Sequence, residues 1–256
     1  MPDLSRHASG LLRSVIVVTI GLAVLACDSV AFAPTGPVPS PTHVLSASPA
    51  ATPHPSAAPV GRQYILALVA AFESDPLITH MAQTGKLTSG KFTANVTLNL
   101  DLSGRDMRFT TTTKALGKTS KQSLVLVGKS VYVRIGNLPW RKLPRSVVEK
   151  HTGDLVTALR LIRDPADLKY VGAETIDGHK RQHLTASRIL PYQAATGEVG
   201  QYDKFDIWVA EDGRPVLARV AFRVTGVSGE QIKGTSEFRF SHFGGPIKIV
   251  APKVAR

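Results

Sequence analysis

The chain has 256 residues, 43% of them hydrophobic and 20% charged, with a formal charge of +12 and an isoelectric point near 10. That apolar share is ordinary for a globular protein and is enough to build a sizeable core. A single cysteine, Cys27, excludes an intramolecular disulfide framework.

The N-terminus reads as an export signal. Arg6, His7 and Arg13 form a short basic region, and Val15 to Leu25 is an uncharged apolar run. A membrane-spanning helix needs about 20 apolar residues, so this run is too short to span. Its length suits the hydrophobic region of a signal peptide. It ends in Val24-Leu25-Ala26-Cys27, with a small residue before the cysteine. The segment resembles the lipobox of bacterial lipoproteins, in which the thiol after the cut accepts a diacylglycerol. Leu25 is bulkier than that pattern usually carries. The alternative is an ordinary secretory signal with a chance cysteine. A lone thiol is an odd thing to export, and lipidation of Cys27 explains both its solitude and its place.

Cleavage before Cys27 leaves 230 residues, and the formal charge falls to +11 as Asp3, Arg6 and Arg13 depart. A basic protein inside a cell would suggest nucleic acid. Export argues against that partner. It favours an anionic membrane surface or wall polymer instead, beside the plain alternative of a solvated basic surface. Residues 28–60 carry eight prolines among Ala, Ser, Thr and Val, with Asp28 the one formal charge. Without a hydrophobic period this stretch cannot offset the entropy of ordering. It reads as a semi-rigid tether of at most about 3.1 Å per residue.

The folded domain is expected to start near Gly61 and run to residue 256. Tyr64, Ile65, Leu68, Val69 and Phe72 recur at helical spacing, and Ser74-Asp75-Pro76 ends the helix. From there the period becomes two. In Lys91–Leu102 the residues Phe92, Ala94, Val96, Leu98, Leu100 and Leu102 share one face. Met107, Phe109, Thr111 and Thr113 line the next strand, followed by Ser123–Val127 and Ser130–Ile135. Residues 85–136 therefore predict an antiparallel meander. Val147-Val148 and Leu155–Ile162, with Asp154 as cap, predict a helical interruption. Tyr170–Ile176 and His179–Ala186 flank Asp177-Gly178, a dipeptide suited to a two-residue hairpin turn. Residues 189–201 read as a loop. Phe205–Val209, Val216–Val224 and Thr235–His242 read as further strands, with Arg219 and Arg223 on the polar side. The pattern predicts an α+β arrangement, one large antiparallel sheet with helices on one side.

Four segments carry a family likeness: SLVLVGKSVYVRIGNLPWRKLP, LRLIRDPADLKYVGAETIDGHKRQHLTA, FDIWVAEDGRPVLARV and FRFSHFGGPIKIVAP. Their order and spacing resemble the superfamily of lipoprotein carriers and lipid-binding lipoproteins that includes LolA/LolB and the LppX/LprG group (LppX_LprAFG). The likeness spans roughly residues 61–256. It implies a strongly curved, incomplete antiparallel half-barrel with helices packed across its concave face. Between sheet and helices such proteins hold an apolar cavity that takes acyl chains. Burying acyl chain contributes about 0.8 kcal/mol per CH₂, so a lipid needs no polar motif. The residues expected to line the cavity are Leu68, Phe72, Phe92, Val96, Leu98, Met107, Phe109, Leu124, Leu126, Val133, Leu155, Leu159, Ile162, Ile207, Val209, Val220, Phe222, Phe238 and Phe240. Position by position, plain core is the first reading of each and ligand contact the second.

Catalytic motifs are absent. Gly117-Lys118-Thr119-Ser120 resembles the end of a phosphate loop, but Thr112 stands where that pattern needs glycine, so the segment reads as a hairpin turn. His179 and His183 on one strand would lie about 13 Å apart, too far to share a zinc ion. His80, His151 and His242 read as isolated surface or core residues. Asn95-Val96-Thr97 reads as strand. The expectation is a membrane-anchored extracytoplasmic lipoprotein, a monomer without cofactor or metal, that binds a lipid or acylated molecule and is not an enzyme. A sensor or scaffold that binds a partner protein is the second expectation.

Overall fold

A computed structural model describes residues 61–74, 77–146, 165–188, 190–193, 199–225 and 229–254. The signal segment, Cys27 and the tether lie outside these residues. So do Val147-Val148, His151 and the expected helix with Leu155, Leu159 and Ile162.

Helix α1 (Arg62–Glu73) matches the three-and-four spacing, and it buries Ile65, Leu68, Val69 and Phe72. Ser74 caps its C-terminal end, donating its hydroxyl to the carbonyl of Ala71. Twelve strands follow: β1 (Ile78–Ser89), β2 (Phe92–Ser103), β3 (Asp106–Ala115), β4 (Lys118–Val127), β5 (Ser130–Ile135), β6 (Arg141–Pro144), β7 (Leu168–Ile176), β8 (His179–Ala186), β9 (Leu190–Gln193), β10 (Val199–Val209), β11 (Pro215–Thr225) and β12 (Gln231–Ser241). They form one antiparallel sheet in the order β6-β5-β4-β3-β2-β1-β12-β11-β10-β8-β7, with β9 beside β10. The first half is a meander of hairpins. β1 then pairs with β12, which joins the two halves across most of the chain. The sheet does not close, because β6 and β7 are both edges.

Strict alternation in β2 sets the faces. Phe92, Ala94, Val96, Leu98, Leu100 and Leu102 are buried, and the residues between them are not. Register carries this inward face sideways: Gln83 on β1 stands opposite Leu98 on one side and Phe238 on the other. Met107 and Phe109, then Leu124 and Leu126, continue it through β3 and β4. Ala218, Val220, Phe222 and Val224 continue it through β11. Gly234 faces inward between Leu87 and Phe222, and a Cβ there would run into the Phe222 ring. The glycine lets that ring lie against the sheet backbone.

Helix α1 packs on the inward face. Phe72 meets Phe240 and Phe243 edge-on at 6.0 and 6.2 Å, and Tyr64 stacks on Tyr170 of β7 at 5.8 Å. Gly61 starts the helix at φ +86°, where a side chain would overlap Tyr170. Among the described residues α1 is the single α-helix laid on the sheet, so the expected cover of several helices is seen here as one. Residues expected to be loop also contribute, since β9 and the start of β10 fall within 189–201. The turns follow the glycines. Asp177-Gly178 has φ of +50° and +77°, as a two-residue hairpin requires, and Leu116-Gly117 forms the β3–β4 turn at +52° and +71°.

Candidate functional site

Two surfaces can bind, one on each side of the sheet. The inward face holds the residues expected to line a cavity. Leu68, Phe72, Phe92, Val96, Leu98, Met107, Phe109, Leu126, Ile207, Val209, Val220, Phe222, Phe238 and Phe240 are all buried, at 0 to 9% exposure. They belong to one cluster, with Leu124 and Val133 half-buried against it. Fourteen strand and helix positions scattered along the chain are thus brought together as a packed face.

Polar side chains interrupt that face. Thr79, Gln83, Thr111, Thr113 and Ser236 are buried on it. Gln83 donates its amide Nε2 to Ser236 Oγ at 3.0 Å, which leaves Gln83 Oε1 buried without a partner. Thr111 Oγ1 is also buried without one. Both lie on one register row, Gln83–Leu98–Thr111, two strand spacings apart. A buried polar atom left unsatisfied costs about 1–3 kcal/mol, and a face built only for packing has no use for two of them.

The opposite, outer face is the polar side of the strands, with Arg219 and Arg223 on it as expected. It carries a cleft of about 710 Å³ over β1, β12, β11 and β10. The β7–β8 hairpin makes its wall. β8 pairs with β10 only through Gln182–Thr185, so the hairpin overhangs the end of β10. It folds across the outer face, and Asp177 at its tip meets Arg239 of β12 at 2.6 Å. Under it the outward-pointing Leu217 and Trp208 are buried, at 0 and 5% exposure.

A charge network fixes this wall. Trp208 Nε1 donates to Glu174 Oε2 at 2.9 Å. His183 stacks on Trp208 with ring centroids 4.5 Å apart. Its Nδ1 lies 2.8 Å from Glu174 Oε1 and its Nε2 lies 3.1 Å from Asp206 Oδ1. Carboxylates only accept, so both contacts are hydrogen bonds when the ring carries both protons. Lys204 Nζ bonds Asp206 Oδ2 at 3.1 Å. Arg219 lies over the other side of the cleft, 5.3 Å from the Trp208 ring centroid, and donates Nε to Glu237 Oε2 at 2.9 Å. Arg239 Nε takes the remaining oxygen of Glu237 at 3.0 Å.

These contacts shift the acids. Burial pushes Asp206 up, but hydrogen bonds from Lys204, His183 and Thr185 outweigh it and hold the carboxyl below its ordinary value. The Trp208 indole, working against desolvation and helped by His183, does the same for Glu174. Asp101 on the far half behaves likewise, with desolvation overcome by His80 and Arg108. His80 bonds Asp101 at 2.7 Å, and the ring of His242 meets it edge-on at 6.2 Å, so neither histidine is isolated. His183 acts in the cleft network while His179 stands at the hairpin turn. Among the described residues no group of three or more His, Cys, Asp or Glu could hold a metal ion.

The residues of the cleft come from six strands, and sequence reading missed it. The one usable signal was the pairing of a tryptophan with outward charged residues, Asp206, Trp208 and Arg219, on neighbouring strands.

No protein-family model and no curated protein matches the chain. Solved structures similar to it include a DUF1329 family protein from Desulfovibrio piger, at 13% identity and a TM-score of 0.26, covering 72% of this chain and 91% of that one. A LolA superfamily protein from Nitrosomonas europaea is 14% identical with a TM-score of 0.27, covering 70% and 91%. The MucA/MucB complex of Pseudomonas aeruginosa is 12% identical with a TM-score of 0.28, covering 73% and 58%.

Proposed function

We propose that this chain is an exported lipoprotein, anchored through Cys27, that binds a lipid or acylated molecule on the inward face of its sheet. The observation that carries the reading is the row of unpartnered polar atoms within an apolar face. An amphiphile meets both needs: its acyl chain lies against the leucine and phenylalanine rows, and its ester or amide meets Gln83 and Thr111. Acyl burial at about 0.8 kcal/mol per CH₂ supplies the affinity, and the polar pair fixes the position of the head.

The charge distribution supports a membrane-facing role. Between Ser103 and Ser146 there are ten lysines and arginines against one carboxylate, Asp106. The β3–β4 and β5–β6 turns lie at the same end of the sheet and expose Leu116 at 65% and Leu138 at 58%. Each basic side chain near an anionic bilayer contributes about 1 kcal/mol. A basic half-sheet tipped at one end with leucines suits that surface.

Native mass spectrometry of the protein carrying Cys27→Ser, purified without detergent, tests the cargo. A discrete lipid mass on the chain supports the reading, and a chain that never carries lipid when expressed in a bacterial envelope refutes it. The same variant, grown with labelled palmitate beside the parent, tests the anchor: label on the parent and none on the variant is expected. The exposed leucines also favour a second reading, a scaffold that docks a partner protein. It predicts a lipid-free chain with a protein bound at the Leu116–Leu138 end.

A further inference from the structure

The cleft on the outer face has a hydrogen-bonding imbalance that identifies a ligand class. Each carboxylate oxygen lining it is already taken. Glu174 accepts from His183 and Trp208, Asp206 from His183 and Lys204, and Glu237 from Arg219 and Arg239. The donors are not used up. Arg219 commits Nε alone to Glu237, which leaves its two terminal nitrogens. Lys204 has one partner, and Lys86 has none among the described residues. The hydroxyls of Thr84 and Thr235 are likewise uncommitted on the cleft floor. Spare capacity of this kind calls for an acceptor-rich ligand, and phosphate oxygens are strong acceptors.

Register places these groups around one small residue. Ala221 stands opposite Thr235 on one side and Lys204 on the other, and Lys86 stands opposite Thr235. Lys86 and Lys204 are therefore three strand spacings apart, about 14 Å. Both side chains are long enough to reach a ligand lying over Ala221. Lys86, Lys204 and Arg219 are balanced in the lining by Glu174, Asp206 and Glu237, so the preference comes from spare donors and not from excess charge, and a guanidinium with two free nitrogens suits a phosphate in particular. The hollow of about 710 Å³ is far larger than inorganic phosphate and within the range of small-molecule sites.

We propose that this cleft binds an organic phosphate. Lys86, Lys204 and the terminal nitrogens of Arg219 hold the phosphate, and Thr84 and Thr235 hold a hydroxylated skeleton. The site lies on the opposite side of the sheet from the inward face, so it stands whether or not lipid binds there. The phosphate could be soluble or the headgroup of a lipid, and the chemistry is the same.

Trp208 reports on the cleft. With Trp140→Phe it becomes the one tryptophan of the chain, and its emission can be titrated with glucose 6-phosphate, inorganic phosphate and glucose. Saturable change with glucose 6-phosphate, a weaker effect of inorganic phosphate and none with glucose is expected. Vesicles of equal parts phosphatidylinositol and phosphatidylcholine form the membrane arm. Saturation by them with no response to glucose 6-phosphate assigns the phosphate to a lipid headgroup. Lys86→Gln should weaken binding about tenfold, about 1.4 kcal/mol, with unchanged thermal unfolding, because the exposed Lys86 side chain has no partner among the described residues. Lys248→Gln with Lys253→Gln removes more charge at exposed positions outside the cleft and should change nothing. Equal weakening by that pair, a response to glucose as strong as to its phosphate, or no saturation by any phosphate would overturn the proposal.

Discussion

Replacing Thr111 by valine separates a buried ligand contact from a packing residue. Thr111 is 5% exposed on the inward face, and its Oγ1 has no partner. Valine has the same shape with a methyl in place of the hydroxyl. An unsatisfied buried hydroxyl costs about 1–3 kcal/mol, and the substitution removes that cost without opening a cavity. The lipid-free protein should therefore gain about 1 kcal/mol or more, a rise of about 2–4 °C in Tm per kcal/mol for a domain of this size. Urea unfolding of parent and variant, both stripped of lipid, measures the gain. Native mass spectrometry of the unstripped proteins should show the opposite sign: less lipid retained by the variant. A variant that is less stable than the parent, or more stable with undiminished lipid, would refute the reasoning that this hydroxyl awaits a ligand.

Three further outcomes are expected. Leu116 holds φ +52° at a hairpin tip, a conformation that costs a bulky residue about 1–2 kcal/mol; Leu116→Asn should raise the unfolding midpoint while lowering co-sedimentation with vesicles containing phosphatidylglycerol. Glu174 and Asp206 are held below their ordinary values of 4.5 and 3.8, so the stability they contribute is present above those values and is lost as pH falls below them toward each group's lower folded-state value. Hydrogen exchange at pH 3 should show the β7–β8 hairpin opening before the β2–β3 core, and Asp206→Asn should flatten the response. Gly234→Ala would drive a methyl into the Phe222 ring, and overpacking of this kind costs about 1–3 kcal/mol; a midpoint equal to the parent's would show that the ring moves aside freely.

Much of the sheet was legible because strand faces are a local property. The alternation in Phe92–Leu102 and in Val216–Val224 states which side of each strand is buried, and the structure places those residues inward. Helix α1 and the Asp177-Gly178 turn were readable for the same reason. β1 was harder. Its inward positions include Thr79, Gln83 and Gly85, so no apolar period announces it, though it is the strand that joins the two halves.

The choice of inward face is what the chain's order of residues determines alone, and the proposed N-terminal signal is read from it in the same way, since each depends on neighbours a few positions apart. The partner of each strand across the middle of the sheet was decided by the tertiary structure. His80 and Ser241 pair across 161 positions. The outer cleft was decided there too. Of Glu174, His183, Asp206, Trp208, Arg219 and Glu237, the strand pattern assigned a side to Arg219 alone, and on a flat sheet all six would face solvent. The overhang of β7–β8 past the end of β10 turns that face into a walled hollow. An overhang is a relation between strands far apart in the chain, and local periodicity carries no trace of it.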